Sequence, residues 1–265
     1  FVYTRDEDGF KEYRAEIIFS QPISLYTNLY GLLLWQQSSE NDQMRFFRRA
    51  GLGINHIFNS SWRIKQQFSI DYDEGDDFGS LTQVDFSPDD HWRFNLSYDS
   101  FTTDVPLRAR VYGIESNKLE GGITYRESDW RSYNLTLSSL KFSDDNRREQ
   151  ALLGYEQGLF VKNDWKMRLF LNLFTSRNSR EDAPYFNPDH DFSLSATHMT
   201  EQIIWRIYNR AFVHKLFLTL GTYKQSGFSN ETIWSIRYQH DYDFSDTHAL
   251  LWGLNIARNV YDGDP

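Results

Sequence analysis

Ser61–Tyr72 reads SWRIKQQFSIDY, and its alternation decides the fold. Trp62, Ile64, Phe68, Ile70 and Tyr72 fall on one face of an extended chain, and Arg63, Lys65, Gln67, Ser69 and Asp71 on the other. Successive strand side chains point to opposite faces, so this segment is a strand that is apolar on one side only. The pattern recurs. His91–Asp99 sets Trp92, Phe94, Leu96 and Tyr98 against Arg93, Asn95, Ser97 and Asp99. Trp165–Thr175, Asn230–Tyr242 and Thr247–Arg258 repeat it. Each run keeps its alternation for roughly 9–12 residues, the length of a tilted membrane strand. Strands of soluble proteins usually stop at about 5–6 residues.

The connectors fall into two alternating sets. Asn59-Ser60-Ser61, Ser87–Asp90, Glu127–Asp129, Asn163-Asp164 and Ser245-Asp246 are tight. Ser38–Gln43, Asp73–Gly79, Ser100–Arg110, Ser143–Arg147, Ser176–Asp191 and Lys224–Ser229 read as longer and polar. Short turns at one rim and long loops at the other are the signature of an all-β transmembrane antiparallel barrel, with periplasmic turns and extracellular loops. A Trp follows the tight turn at Trp62, Trp92, Trp130 and Trp165, as an aromatic girdle at the membrane interface requires. About fourteen strands fit between Glu12 and Arg258, with both ends entering loops, so a barrel of about sixteen strands is expected. One domain is expected over residues 1–265, as a piece of a longer precursor that lacks its closing strand.

The composition agrees. The 265 residues include 16 Tyr, 21 Phe and 8 Trp, and no Cys. Without Cys there are no disulfides, no thiolate chemistry and no Cys-type zinc site. The net charge of −9 argues against a nucleic-acid partner and favours cationic or neutral polar cargo. No apolar run approaches the ~20 residues of a membrane helix.

Catalytic motifs are missing. The seven His form no HExxH spacing, no phosphate loop or GxSxG elbow occurs, and Asp76-Asp77 and Asp89-Asp90 read as turn chemistry. His190-Asp191 could suggest a metal, but beside two prolines it reads as a solvated loop, and no metal or cofactor is expected. A membrane hydrolase whose Ser, His and acid meet only in space stays open, as does a soluble β-sandwich whose Trp residues open core strands.

The polar strand faces would line a lumen. Asp71, Asp85, Asp99, Glu120, Glu156, Arg168 and Arg237 fall there, and Phe170, Asn172 and Phe174 alternate onto the same surface as Arg168. Ring faces beside hydrogen-bonding groups suit sugars, although any water-filled lumen must be polar.

Two loop segments carry a resemblance. Asp99–Ile114 reads DSFTTDVPLRARVYGI, and Asp182–Asp191 reads DAPYFNPDHD. Asp104–Arg110 followed by Gly113-Ile114, and Ala183–Pro188, resemble the barrel of the PgaA family, exporters of poly-β-(1→6)-N-acetylglucosamine; the Trp205-Arg206…Tyr208 region is similar too. The likeness runs from about Tyr13 to Asp262. It implies a sixteen-stranded outer-membrane barrel behind a periplasmic tetratricopeptide region, working with a periplasmic deacetylase in biofilm matrix secretion. It implies a polymer that is partly de-N-acetylated and hence partly cationic, no catalytic residue, and the lipid bilayer as surroundings. Another polysaccharide of the same design, such as cellulose, is the alternative cargo. Pro106, Pro184 and Pro188 stiffen the two segments against strand pairing, so Asp104, Pro106, Arg108 and Arg110 in one, and Tyr185, Phe186 and Asn187 in the other, are expected to shape the mouth.

Overall fold

The computed structural model describes residues 2–5, 9–40, 43–72, 76–180, 182–208, 210–245 and 248–258. These form fifteen strands and one short helix. The first strands are β1 (Val2–Arg5), β2 (Lys11–Pro22), β3 (Thr27–Glu40), β4 (Gln43–Ile57) and β5 (Trp62–Tyr72). Then come β6 (Asp76–Phe86), β7 (Trp92–Asp99), the helix α1 (Leu107–Val111), β8 (Ser116–Ser128), β9 (Arg131–Phe142) and β10 (Arg147–Lys162). The chain continues through β11 (Trp165–Asn178), β12 (His190–Ile207), β13 (Arg210–Gln225), β14 (Glu231–Ser245) and β15 (His248–Arg258). All fifteen strands belong to one sheet in chain order, and the ladders from β1 through β7 and from β12 through β15 are antiparallel. Strands β2 to β15 are the expected fourteen, and β1 adds a short one.

The burial pattern inverts that of a soluble protein. In β5, Phe68 and Ile70 are 51% and 48% exposed, whereas Gln67, Ser69 and Asp71 are 5%, 4% and 0% exposed. Leu52, Leu218, Leu220, Leu254 and Ile256 are exposed in the same way on their strands. An apolar surface of this extent has no place in water. Polar side chains on that face find partners there: Thr82 Oγ1 donates to Gln66 Oε1 at 2.6 Å, and Thr27 and His56 share a bond of 2.8 Å. Close to the tight turns Trp62 stacks on Phe86 at 4.4 Å, and Trp92 lies 5.9 Å from Phe94, an interfacial aromatic strip. Among the described residues no helix is long and apolar enough to cross a membrane, so any crossing is made by strands.

Compactness divides the chain into two units. The first comprises Phe1–Ile123, Thr136–Gln150 and Arg177–Asp189, and the second Thr124–Leu135, Ala151–Ser176 and His190–Pro265. Within the first, ten buried polar residues from Glu12 to Ser116 lie on β2 to β5, in the β7–β8 connector or at the start of β8, and most sit toward the ends bearing the longer connectors. Within the second, Ser176, Asp191 and Gln225 are buried at the same ends of β11, β12 and β13.

The connectors differ in part from expectation. Pairing carries β3 and β4 through Ser38↔Arg45 to Glu40↔Gln43, so Ser38–Gln43 is ladder up to residues 41–42, which lie outside the described residues. Of Asp73–Gly79, residues 76–79 already pair as β6, and 73–75 lie outside the described residues, as do Asp246 and the whole of Tyr261–Pro265. Ser143–Arg147 closes as a turn, with the Asp145 amide donating to the Phe142 carbonyl at 3.2 Å. The long connectors that remain are 100–115 and 179–189. The first holds α1, which sequence periodicity missed because five residues carry barely more than one turn.

Candidate functional site

The site consists of the polar strand faces and the two long connectors laid against them. The connector 100–115 leaves β7 and enters β8, yet it packs on strands remote in sheet order: α1 contacts β3 and β4. Charge pairs fix it there. Arg110 pairs with Glu12 of β2, and its Nη2 donates to the Thr103 carbonyl at 2.7 Å. The same Glu12 carboxylate accepts from Gln36 Nε2 at 2.9 Å and Ser38 Oγ at 3.1 Å. Arg108 Nε donates to Glu40 Oε1 at 2.7 Å, and Pro106 stands just before the first turn of the helix. Lys118 bridges Asp104 of the connector, at 2.6 Å, to Glu120 of β8, at 2.8 Å.

Below this, Arg49 of β4 meets Asp71 of β5 in a two-bond pair, Nε to Oδ1 at 2.7 Å and Nη2 to Oδ2 at 2.9 Å. Arg49 also donates to the Phe101 carbonyl, and its guanidinium lies beside the stacked Phe47 and Phe101 rings, 5.5 and 6.0 Å from their centres. Gly79 makes room, since a Cβ there would stand 2.7 Å from Asp71 Oδ2. Asp71 was expected as lumen wall; its carboxylate is taken up by Arg49 and supports the root of the connector.

The second connector is organised around Asn146, which has no exposed surface. Its Nδ2 donates to Asn178 Oδ1 at 3.2 Å and Tyr185 Oη at 3.0 Å, and its Oδ1 accepts from the amides of Ser179 and Arg180 at 3.2 and 3.3 Å. Tyr185 donates to Asp144 Oδ2 at 3.0 Å and packs on Phe142 at 5.5 Å between ring centres. Burial pushes its phenol up to about 12. Asn187 Nδ2 donates to the Arg180 carbonyl at 2.8 Å, while Phe186 beside it is half-buried. Outside this core, the hydrogen bond and charge of Arg180 hold the Asp182 carboxyl below its ordinary value.

The remaining expected wall residues are spread along the polar face. Asp85 accepts from Gln83 Nε2 at 3.1 Å, and Asp99 accepts the Phe101 amide at 3.1 Å, capping the turn out of β7. Glu156 pairs with Arg168 across β10 and β11. Phe170, Asn172 and Phe174 are half-buried along β11, and Arg237 lies over the Phe217 ring at 3.9 Å. Lys215 bridges Asp241 and, at 3.8 Å, Glu201. Sequence inspection missed Glu12, Glu40, Arg49 and Asn146. The first three are polar partners of a segment far along the chain, and Asn146 looks like any turn residue. Among the described residues no three His, Asp or Glu gather in a way that could hold a metal ion.

Long one-sided strands in an uninterrupted antiparallel series, with lipid-type exposure on one face and a loop-covered charged face on the other, call for comparison with known barrels. The model for the PgaA membrane beta barrel domain matches residues 8–265. The chain belongs to this family. Two curated relatives, the poly-beta-1,6-N-acetyl-D-glucosamine export proteins of Escherichia coli strain K12 and Escherichia coli O157:H7, are each 22% identical over 175 residues. That match covers 66% of this chain and 22% of each relative, so the chain spans well under two thirds of the relatives' length. A solved bacterial polysaccharide outer membrane secretin superposes with a TM-score of 0.87 at 17% identity, covering 97% of this chain and 86% of that one, and carries the fold. The PgaA-family chain is thus a transmembrane antiparallel β-barrel of the Gram-negative outer membrane, with tight periplasmic turns and long extracellular loops. Its apolar face meets lipid and its polar face the lumen.

Proposed function

We propose that this barrel exports partially de-N-acetylated poly-β-(1→6)-N-acetylglucosamine to the cell surface for the biofilm matrix, without a catalytic step. The observation that supports it best is the connector 100–115, tied by Arg108 and Arg110 to Glu40 and Glu12 over the polar face of strands far from its own. Such a loop narrows a wide lumen to a selective path. Paired charges such as Glu156–Arg168 and Lys215–Asp241 leave a wall of weak polar contacts, along which a hydrophilic polymer slides without being held. A net charge of −9 suits a polymer carrying free ammonium groups. The lumen residues from Asp71 to Arg237 and the two extracellular connectors form the path in this reading. In the same reading a periplasmic deacetylase removes part of the acetyl groups before export, and a periplasmic helical-repeat region precedes the barrel.

The test is complementation in a strain lacking its own exporter. Surface poly-N-acetylglucosamine should return with the full-length protein, and the purified protein should release no sugar from the polymer. Recovery of cellulose instead would move the assignment to a different cargo. Hydrolysis by the pure protein would make it an enzyme.

A further inference from the structure

Trp130 does not join the girdle its sequence position suggests. The Gly158 amide donates to the Trp130 carbonyl at 2.6 Å, which makes the two residues cross-strand partners. Two residues along, Ser132 Oγ bonds Glu156 at 3.5 Å, so Trp130 shares its face with Ser132, Glu156 and Arg168, the polar lumen face. Trp62, Trp92 and Trp165 open their strands on the lipid face instead.

Gly158 is what lets the indole lie there. A Cβ at position 158 would stand 2.4 Å from Trp130 Cε3, so the Cε3 edge of the ring takes the space that a side chain at 158 would fill. The side chain is still 46% exposed. The ring is thus braced at one edge and open over much of its surface. A cleft beside it is lined by Arg126, Ser128, Ser132, Glu156 and Lys166, at the periplasmic turn end of β8 to β11. An indole packing a core would be buried, and one anchoring the barrel in lipid would point outward. A half-open aromatic ring rimmed by hydrogen-bonding groups fits a pyranose: its C–H face stacks on the indole, and its hydroxyl groups reach Ser132 and the Glu156–Arg168 pair.

We infer that Trp130, seated on Gly158, is an amino-sugar stacking subsite at the periplasmic entrance of the lumen, where an incoming chain makes its first oriented contact. The inference rests on the export reading above. It needs no tight binding, because a subsite in a translocation path must also let go.

Blocking of single channels separates the two claims. The full-length protein is placed in a planar bilayer, and a partially N-acetylated β-(1→6)-glucosamine oligosaccharide is added on the periplasmic side. The wild type should show brief current blocks. Trp130→Ala should shorten the blocked time roughly fivefold to tenfold with the open conductance little changed. Trp130→Phe should retain part of the dwell. Gly158→Ala, which keeps the indole but unseats it, should shorten the dwell as well. Trp92→Phe on the lipid face should leave it alone. Wild-type blocks that survive both Trp130→Ala and Gly158→Ala overturn the subsite and leave the export reading standing. A wild type blocked by β-(1→4)-glucose oligomers and not by the amino sugar overturns the export reading, and the amino-sugar subsite falls with it.

Discussion

Asp71→Ala removes both carboxylate acceptors of the Arg49 guanidinium. Asp71 has no exposed surface and Arg49 is 8% exposed, so the stranded cation is held away from water. Breaking a buried ion pair from one side costs about 3–5 kcal/mol. The surviving contacts, the Phe101 carbonyl and the rings of Phe47 and Phe101, recover roughly 1 kcal/mol of that. The expected net loss is therefore about 2–4 kcal/mol. Asp71→Asn, which keeps one acceptor and the shape, should lose less. The double replacement Arg49→Met with Asp71→Leu should regain most of the loss, because apolar side chains of similar volume substitute well for a buried pair. Reversible urea unfolding of the barrel in lipid vesicles, followed by tryptophan fluorescence, measures each value. Because Arg49 also holds the carbonyl at the root of connector 100–115, the Ala variant should conduct in a planar bilayer with larger and noisier currents. An Ala variant within about 0.5 kcal/mol of wild type, with unchanged current, would refute the reasoning, since that is the range of substitutions that touch nothing.

Other outcomes follow from the same contacts. Arg108→Ala with Arg110→Ala frees α1 from Glu40 and Glu12 and should raise single-channel conductance; high salt should do so only weakly, because both carboxylates are buried. Docking of connector 179–189 should depend on pH through Tyr185. Its phenol is raised from 10.0 to about 12, so the docked state favours the protonated form; the contribution is complete below pH 10 and is lost as the pH climbs toward 12. Limited proteolysis across that window, with Tyr185→Phe losing the dependence, checks it. Leu254→Arg places a charge on the lipid face, where Leu254 is 66% exposed, and should lower folding stability in vesicles by about 2–4 kcal/mol at mid-bilayer depth. A neutral result there would mean that the face does not meet lipid.

The architecture was legible because its signal is local. Alternation in Ser61–Tyr72 assigns each side chain to a face without knowledge of any neighbour, and the burial of Gln67, Ser69 and Asp71 beside exposed Phe68 and Ile70 follows it. The segments DVPLRAR and APYFNP stood out by their resemblance to the PgaA barrel, and their prolines argue against strand pairing. The partners those segments find were not legible. Glu12 and Arg110 are far apart along the chain, and nothing in either sequence neighbourhood names the other. Trp130 was placed on the wrong face for a similar reason. The tight turn at 129–130 sets its side, and the glycine that receives it lies on the next strand. Loop lengths were overestimated at Ser38–Gln43 because polar residues mark a lumen face as readily as they mark a loop.

Trp130 on Gly158 is one case of a wider habit. In the second unit a Cβ at Gly154 would stand 1.9 Å from Asn134 Oδ1; in the first, Asn95 lies over Gly122 and Tyr30 over Gly53 at similarly short separations. Each pairing lets a long side chain recline along the wall instead of standing into the channel. A threaded chain meets friction wherever the wall has relief, since every protruding group is a step it must climb. Reclining side chains flatten that corrugation while keeping amide, phenol and indole groups within reach. On the export reading proposed above, adding a methyl group at any of these glycines pushes the reclining side chain off the wall and should slow the passage of the polymer.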